Sequence, residues 1–335
     1  MNMRNIALVG ASGMVGQTFL QVIKEYVDEG KLAFENLYLF ASARSAGKTV
    51  DFNGKELVIE ELTPQSFDRE IDIALFSAGG SVSKEYASIA AKKGCIVIDN
   101  SSAWRTDPEV PLVIPEVNSE DIKNHNGIIA NPNCSTIQAV VALAPLHKAY
   151  NIQRIIYTTF QSVSGAGQKG ILDLERTAKG ESPQHFPYPI AGNCIPHIDA
   201  FGNDGYTFEE LKMINETKKI LHAPKIKITA TTVRVPVTVG HSESINVTFE
   251  KPYDLVDLRR ILEESPGIVV QDDAENKIYP TPRETAGTDS VYVGRIRRDF
   301  SAENSLNLWV VADNVRKGAA TNAIQIAVEI LKLTG

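Results

Sequence analysis

The chain has 335 residues, with 34 Lys and Arg against 41 Asp and Glu, a formal net charge of −7. At 43% hydrophobic and 22% charged it has a globular composition, and its length suits two domains. The acidic balance argues against nucleic-acid or anionic-membrane partners, and three widely spaced cysteines argue against a disulfide framework and for a reducing, cytoplasmic setting.

Asn5 to Val9 reads as an apolar strand, without the features of a signal peptide. Met14 to Glu29 follows as a helix stopped by Gly30, and Leu37 to Phe40 as a second strand. Ile71 to Ser77 and Cys95 to Asp99 are further strands, separated by a helical stretch from Val82 to Lys93. Short apolar strands alternating with helices predict βαβ units and a buried parallel sheet. The longest uncharged run, Gly127 to Leu146, is interrupted by Asn131, Pro132, Asn133, Ser135, Gln138 and Pro145, so it makes a poor membrane span. Ile155 to Ser162 and Lys225 to Lys251 alternate with period 2, as an antiparallel or mixed sheet with one covered face would require. Between them, Gly180 to Tyr206 is rich in Pro, Gly and Asn and reads as a long covering loop. Leu306 to Ala312 reads as a strand and Gly318 to Leu333 as a helix whose Ala-rich face suits a return to the first domain.

Gly10-Ala-Ser-Gly13-Met-Val-Gly16 sits between the first strand and its helix, a GxxGxxG variant of the dinucleotide turn. Glycines there permit a tight turn and let backbone N–H groups approach a pyrophosphate at the helix N-terminus. A glycine turn without a ligand is the plain alternative. After the second strand, an NAD site usually carries an acidic residue, whereas Ala41-Ser42-Ala43-Arg44-Ser45 offers a cation and hydroxyls to a 2′-phosphate, which favours NADP. Ser77-Ala78-Gly79-Gly80 is a further glycine turn after a strand.

Cys134 lies in Asn131-Pro-Asn-Cys134-Ser-Thr136, directly ahead of the helical run Ile137 to Ala149, where a helix dipole favours the thiolate. Position alone leaves nucleophile and structural thiol equally open. Cys95 sits in an apolar run and Cys194 in the long loop. His125, His147, His185, His197 and His222 have no distinctive setting. His241 follows Arg234-Val-Pro-Val-Thr-Val-Gly240, and both ends of that segment can face one cleft if Gly240 bends it; by itself a strand-end histidine reads as structural.

With these residues in view the chain resembles the aspartate-β-semialdehyde dehydrogenases over essentially its whole length. Six ordered segments carry the resemblance: Gly10 to Gly16, Ser102-Ala-Trp-Arg105, Asn131 to Thr136, Gln161-Ser-Val-Ser-Gly165, Glu209-Glu-Leu-Lys212 and Arg234 to His241, with Asp313-Asn314 and the helix after it. The resemblance implies catalysis by Cys134 as covalent nucleophile and His241 as acid/base, with Gln161 positioning substrate beside them. It implies Arg234 on the substrate α-carboxylate, Glu209 facing its ammonium, Arg105 and Lys212 on phosphate, and a lesser orienting role for Asn133. For the cofactor, NADP, it implies Gly10, Ser12, Gly13, Met14, Val15, Gly16, Arg44, Ser45, Ser164, Gly165 and Asn314. No metal is expected.

The implied reaction is reductive dephosphorylation of L-aspartyl 4-phosphate to L-aspartate 4-semialdehyde through a cysteine thioester, in the route to lysine, threonine, methionine and diaminopimelate. An N-acetyl-glutamyl-phosphate reductase-like enzyme is the nearest rival, but an acylated amine gives an acidic Glu209 no purpose; a catalytically silent NADP-binding protein is the other. The implied fold is α/β: a Rossmann-type domain over residues 1–130 and 314–335, and an α/β catalytic and dimerisation domain with a mixed or antiparallel sheet over 131–313. The short stretch Met213 to Val233 leaves little room for an insertion and suggests a compact bacterial or archaeal-type branch; a homodimer is inherited from the resemblance.

Overall fold

Strands β1 (Asn5–Val9), β2 (Asn36–Ala41), β5 (Ile73–Phe76), β6 (Ile96–Asp99) and β7 (Ile128–Ala130) are short and apolar, as strands covered on both faces must be. The computed structural model describes residues 4–334, and the chain forms two units, one over Met1–Pro132 and Ala319–Gly335, the other over Asn133–Gly318.

In the first unit these strands join β3 (Thr49–Phe52) and β4 (Lys55–Glu61) in the order β3-β4-β2-β1-β5-β6-β7. All neighbours are parallel except β3 and β4, an edge hairpin turned at Asn53-Gly54, both with positive φ. The alternation reading missed this hairpin because β4, Lys-Glu-Leu-Val-Ile-Glu-Glu, is largely charged and exposed. Helices α1 (Met14–Asp28), α2 (Gly80–Lys92) and α3 (Pro115–Asn118) belong to this unit, as does α9 (Thr321–Thr334) at the other end of the chain. Phe19 and Ile23 of α1 are fully buried beside Ile6 and Leu8 of β1, each contributing about 1.5–3 kcal/mol by burial. Ala323, Ile324 and Ala327 of α9 share that core, the two alanines leaving room for close approach.

The second unit is built on a six-stranded mixed sheet of order β11-β12-β13-β10-β8-β9. Its strands are β8 (Ile152–Gln161), β9 (Lys227–Arg234), β10 (His241–Phe249), β11 (Ile268–Val270), β12 (Val291–Arg298) and β13 (Ser305–Ala312). Helices α4 (Cys134–Tyr150), α5 (Gln168–Ala178), α6 (Phe208–Ile220), α7 (Leu255–Glu264) and α8 (Pro282–Thr285) accompany it. Helix α4 is buried around nearly its whole circumference, so it forms the centre of this unit and not a surface element.

The alternating run from Lys225 to Lys251 is not one strand. It breaks after Arg234, and the Pro236-containing segment 235–240 carries the chain across β8 to the next strand. Gly240 makes the final bend at φ +92°, where a Cβ would also lie within 3.0–3.1 Å of Pro282. The Gly180 to Tyr206 stretch has no helix or long strand, but Ile195 exchanges two backbone hydrogen bonds with Arg234, at 2.8 and 2.9 Å. Asp173 of α5 anchors this loop, its carboxylate accepting the backbone N–H groups of Gln184, His185 and Phe186 at 2.8–2.9 Å.

Candidate active site

Strand register in the second unit gathers three of the expected residues at one end of the sheet. Gln161 ends β8 and pairs with Arg234, which ends parallel β9. On the other flank of β8, Ser242 pairs with Phe160, so His241 opens β10 beside Gln161. All three are buried.

Cys134 is the first residue of α4, partly exposed, and Asn133 caps that helix by accepting the N–H groups of Ser135 and Thr136 at 3.0 and 3.3 Å. The same amide donates from Nδ2 to Glu209 Oε1 at 2.9 Å, and Gln161 Nε2 donates to that oxygen at 3.1 Å. Lys212 Nζ reaches Glu209 Oε2 at 3.1 Å and Asp199 Oδ2 at 2.8 Å. Burial pushes the Glu209 pKa up, but the Lys212 charge and the bonds from Gln161 and Asn133 outweigh it, leaving a carboxylate below its ordinary range. Lys212 moves up for the complementary reason: Glu209 and Asp199 overcome its desolvation. Gly318 lies close behind Cys134, since a methyl group on its Cα would lie 2.9 Å from Cys134 Cβ.

His241 is fully buried and its Nε2 has no hydrogen-bond partner among the described residues. The backbone N–H of Ser162 donates to its Nδ1 at 3.0 Å, so the neutral ring carries its proton on Nε2. Burial first, and the Arg234 charge second, push His241 well below the ordinary histidine range, so the resting ring is neutral. Arg234 donates from NH1 to the Ser162 carbonyl at 2.7 Å and stands over the Phe186 ring at 5.9 Å. A Cβ at Gly165 would lie 2.7 Å from Arg234 NH1 and 3.3 Å from His241 Nε2, so Gly165 keeps open the space these two groups border. Ser164 and Asn314 are also buried: Asn314 Oδ1 accepts from Ser162 Oγ, Ser164 Oγ and the Gly240 N–H at 2.9–3.2 Å.

Arg105 belongs to the first unit, where its Nε and NH2 hold the carbonyls of Asn131 and Asn100 at 2.9 and 2.8 Å. The glycine turn lies there too, at the point where strand order reverses between β1 and β5. Gly10 has φ +90°, and a Cβ on it would lie 2.4 Å from the Ser77 carbonyl; one on Gly16 would lie 2.2 Å from the Gly10 carbonyl. Gly13 caps α1 without a side-chain bond, and Ser12 and Gly13 are exposed while Met14 and Val15 are half-buried. An uncapped, side-chain-free helix N-terminus is a fit receptor for pyrophosphate. Arg44 projects from the 3₁₀ turn Ala43–Ser45 as an exposed side chain, whereas Ser45 is buried.

Residues 5–125 match the family model described as semialdehyde dehydrogenase, NAD binding domain, and residues 143–317 the model described as semialdehyde dehydrogenase, dimerisation domain. The aspartate-semialdehyde dehydrogenase of Aquifex aeolicus is 53% identical, with 98% of each chain covered. The chain belongs to the aspartate-semialdehyde dehydrogenase family. Among solved structures, aspartate semialdehyde dehydrogenase II of Vibrio cholerae complexed with ASA is 46% identical, covers 99% of each chain and superposes with a TM-score of 0.92. A more distant family structure, that of Candida albicans with NADP, is 27% identical at TM-score 0.78, with 99% of each chain covered.

Two residues at the site had no role from the sequence: Ser162, although it lies inside the Gln161 to Gly165 segment, and Gly318. Ser162 meets His241 through both its backbone N–H and its hydroxyl, and Gly318 meets Cys134 through the side chain it lacks. Asn133 did carry a signal, as an N-cap residue type directly before a helix.

Proposed function

We propose that the chain catalyses the NADP-dependent, phosphorylating interconversion of L-aspartyl 4-phosphate and L-aspartate 4-semialdehyde through a thioester on Cys134. The observation that carries this is the convergence, within one unit, of a helix-terminal cysteine with buried Glu209, Gln161, Arg234 and His241. In the biosynthetic direction the Cys134 thiol gives its proton to His241, and the thiolate attacks the acyl phosphate and expels phosphate. Arg234 holds the α-carboxylate. Glu209 has used three of roughly four acceptor positions, so a substrate ammonium can take the remaining one. Lys212 has committed two of its three donors and offers the third to phosphate, with Arg105 as the second phosphate cation. Gln161, itself fixed by Glu209, orients the acyl group.

NADPH, when bound, supplies the hydride that reduces the thioester carbonyl. Gly10, Ser12, Gly13, Met14, Val15 and Gly16 are the residues for its pyrophosphate, Arg44 and Ser45 for the 2′-phosphate, and Ser164, Gly165 and Asn314 for the nicotinamide end. Residues 1–130 and 314–335 would supply most of the nucleotide contacts and 131–313 the chemistry and the nicotinamide contacts, bounds that differ by a few residues from the two units, which divide after Pro132 and Gly318.

A homodimer fits the sheet of the second unit. Helices α4, α6 and α7 pack on the side that bears His241 and Gln161, whereas Phe160, Trp309, Ser244 and Asn246 alternate to the other side and remain partly exposed. All three cysteines are free, which suits a reducing, cytoplasmic setting. The deciding experiment is phosphate-dependent NADP reduction with aspartate semialdehyde. Wild type should turn over, and Cys134→Ala should lose turnover while binding NADPH nearly as before. Turnover of N-acetyl-glutamyl phosphate in place of the aspartyl substrate, or full activity in the Ala variant, would overturn the proposal.

A further inference from the structure

Ser162 meets the active-site histidine twice. Its backbone N–H donates to His241 Nδ1, and its Oγ lies 3.0 Å from the same nitrogen. The two groups make opposite demands. A backbone N–H can only donate, so it is satisfied only by a bare Nδ1. A hydroxyl can accept, so it tolerates a proton on Nδ1, provided its own hydrogen has somewhere to go. That outlet exists: Ser162 Oγ donates to Asn314 Oδ1 at 3.0 Å. Asn314 is buried and tied down through the Gly240 N–H and Ser164, so this acceptor is fixed in place.

The requirement follows from proton accounting at Nε2, the atom on the side of Gly165 and Arg234. The resting ring, with its proton on Nε2, can donate there but cannot accept. To take the Cys134 proton, the ring must first exchange tautomers, the Nε2 proton leaving to solvent as a solvent proton adds at Nδ1, which gives a neutral ring with Nδ1–H and a bare Nε2. The S–H bond then breaks, an Nε2–H bond forms, and a thiolate–imidazolium pair results. When imidazolium later returns that proton to an oxygen or sulfur of the reacting group, it again becomes neutral Nδ1–H. Both catalytic forms therefore need an acceptor at Nδ1. We propose that Ser162 is a positioning residue for His241, its backbone N–H securing the resting tautomer and its hydroxyl, backed by Asn314, accepting the Nδ1 proton in the two catalytic forms.

The Gly240 backbone also accepts from the ring and favours its charged form, so the Ser162 hydroxyl adds to that acceptor; the charged and titratable groups around the ring supply none. Arg234 on β9 is a cation that opposes ring charging. Tyr157 on β8 and Glu243 on β10 lie on the same sheet face but further along it, by strand alternation, and neither Glu243 oxygen has a hydrogen-bond partner. Cys134 on α4 is the proton's source, and Glu209 and Lys212 on α6 are committed to each other. Strand β13, Ser305–Ala312, has no charged residue; Asp313 beyond it turns its carboxylate to the N–H groups of Val315 and Arg316.

The inference rests on the function proposed above, so its test begins with measurements that need no substrate. In the full-length enzyme labelled with ¹⁵N-histidine, the neutral His241 ring should show the proton on Nε2. The pH midpoint of Cys134 alkylation by iodoacetamide should rise by about one unit in Ser162→Ala, because the ring can no longer hold the thiol's proton. With aspartate semialdehyde, kcat of that variant should fall on the order of tenfold while KM stays within about twofold. Ser162→Thr, which keeps the hydroxyl, should recover both. A wild-type resting ring protonated on Nδ1 would overturn the proposal. So would an unchanged alkylation midpoint in folded Ser162→Ala. If instead the tautomer and midpoint behave as expected but aspartate semialdehyde is not turned over, the substrate assignment fails and the role of Ser162 stands.

Discussion

Replacing Gly318 by Ala sets two effects of opposite sign against each other. The residue lies in the π-helical turn Arg316–Ala320, with no positive φ, so Ala strains no backbone angle there. Helix propensity alone favours the substitution by about 1 kcal/mol. Sterics oppose it, because the new Cβ would lie 2.9 Å from Cys134 Cβ and 3.3 Å from Cys134 Cα. Carbon atoms rest at about 3.5–4.0 Å, so one partner must retreat by roughly 0.6 Å or more. The obstacle is the first residue of a buried helix and not the end of a flexible side chain, so the overlap should cost about 1–3 kcal/mol. The net effect on stability is then between zero and roughly 2 kcal/mol unfavourable. Activity should suffer more. A 1 Å misplacement of a reacting group can cost about a hundredfold, so about 0.6 Å predicts on the order of a tenfold loss or more in kcat. The assay is steady-state NADP reduction with aspartate semialdehyde, alongside thermal unfolding and NADPH fluorescence titration. A Gly318→Ala enzyme with kcat within twofold of wild type and undiminished stability would refute the steric reasoning.

Arg44→Asp should weaken NADPH far more than NADH in parallel binding titrations; equal losses would mean that the 2′-phosphate is read elsewhere. Asp173→Asn should raise KM several-fold by loosening the loop that brings Phe186 to Arg234, and should cost about 2–4 kcal/mol, since a carboxylate accepting three N–H bonds is lost. Burial pushes the Asp173 pKa up, but those three bonds and Arg176 hold it below its ordinary value. Its contribution is therefore present above the unfolded pKa of about 3.9 and lost as pH falls through the folded one, so unfolding curves of the two proteins should converge in acid. Iodoacetamide at pH 8, followed by peptide mass spectrometry, should label Cys194 and Cys134 but spare Cys95, which is 2% exposed with its thiol pushed up to about 11 by burial.

The parallel half of the fold was legible because both faces of its strands are covered, which writes continuous apolar runs into β1, β5 and β6. The edge hairpin β3–β4 was not, since an edge need not be apolar, although Asn53-Gly54 marked its turn. The period-2 run after Lys225 misled for a different reason. Val235, Val237 and Val239 continue the alternation of β9, but Pro236 and Gly240 turn the chain through a crossing segment. That crossing is what sets Arg234 and His241 on opposite flanks of β8, at the same end as Gln161. Local motifs marked the glycine turn and the helix-terminal Cys134, whereas His241, Arg234 and Glu209 were named only through the family resemblance, and their convergence depends on register and on contacts such as the Ser162 carbonyl to Arg234, for which a sequence has no local mark.

Two buried glutamates show why residue type alone could not finish the assignment. Glu209 and Glu243 are both essentially inaccessible to solvent, 4% and 0% exposed. Burial pushes both pKa values up, yet they move apart. Glu209 receives Lys212, Gln161 and Asn133 and stays a carboxylate below its ordinary range. Among the described residues Glu243 receives no hydrogen bond; burial first and the Glu209 charge second push its pKa well above its ordinary range, favouring the neutral acid. One ionised carboxylate then faces the cationic side chains of Arg234 and Lys212, with Asp199 pairing Lys212 from outside. A second anion on that sheet face would compete with any other anion for those cations. Keeping Glu243 uncharged removes that competition, and Glu209 itself helps to keep it so. The molecule's acidic balance thus coexists with a local cluster in which Lys212 is paired with Glu209 and Asp199 while Arg234 holds the Ser162 carbonyl.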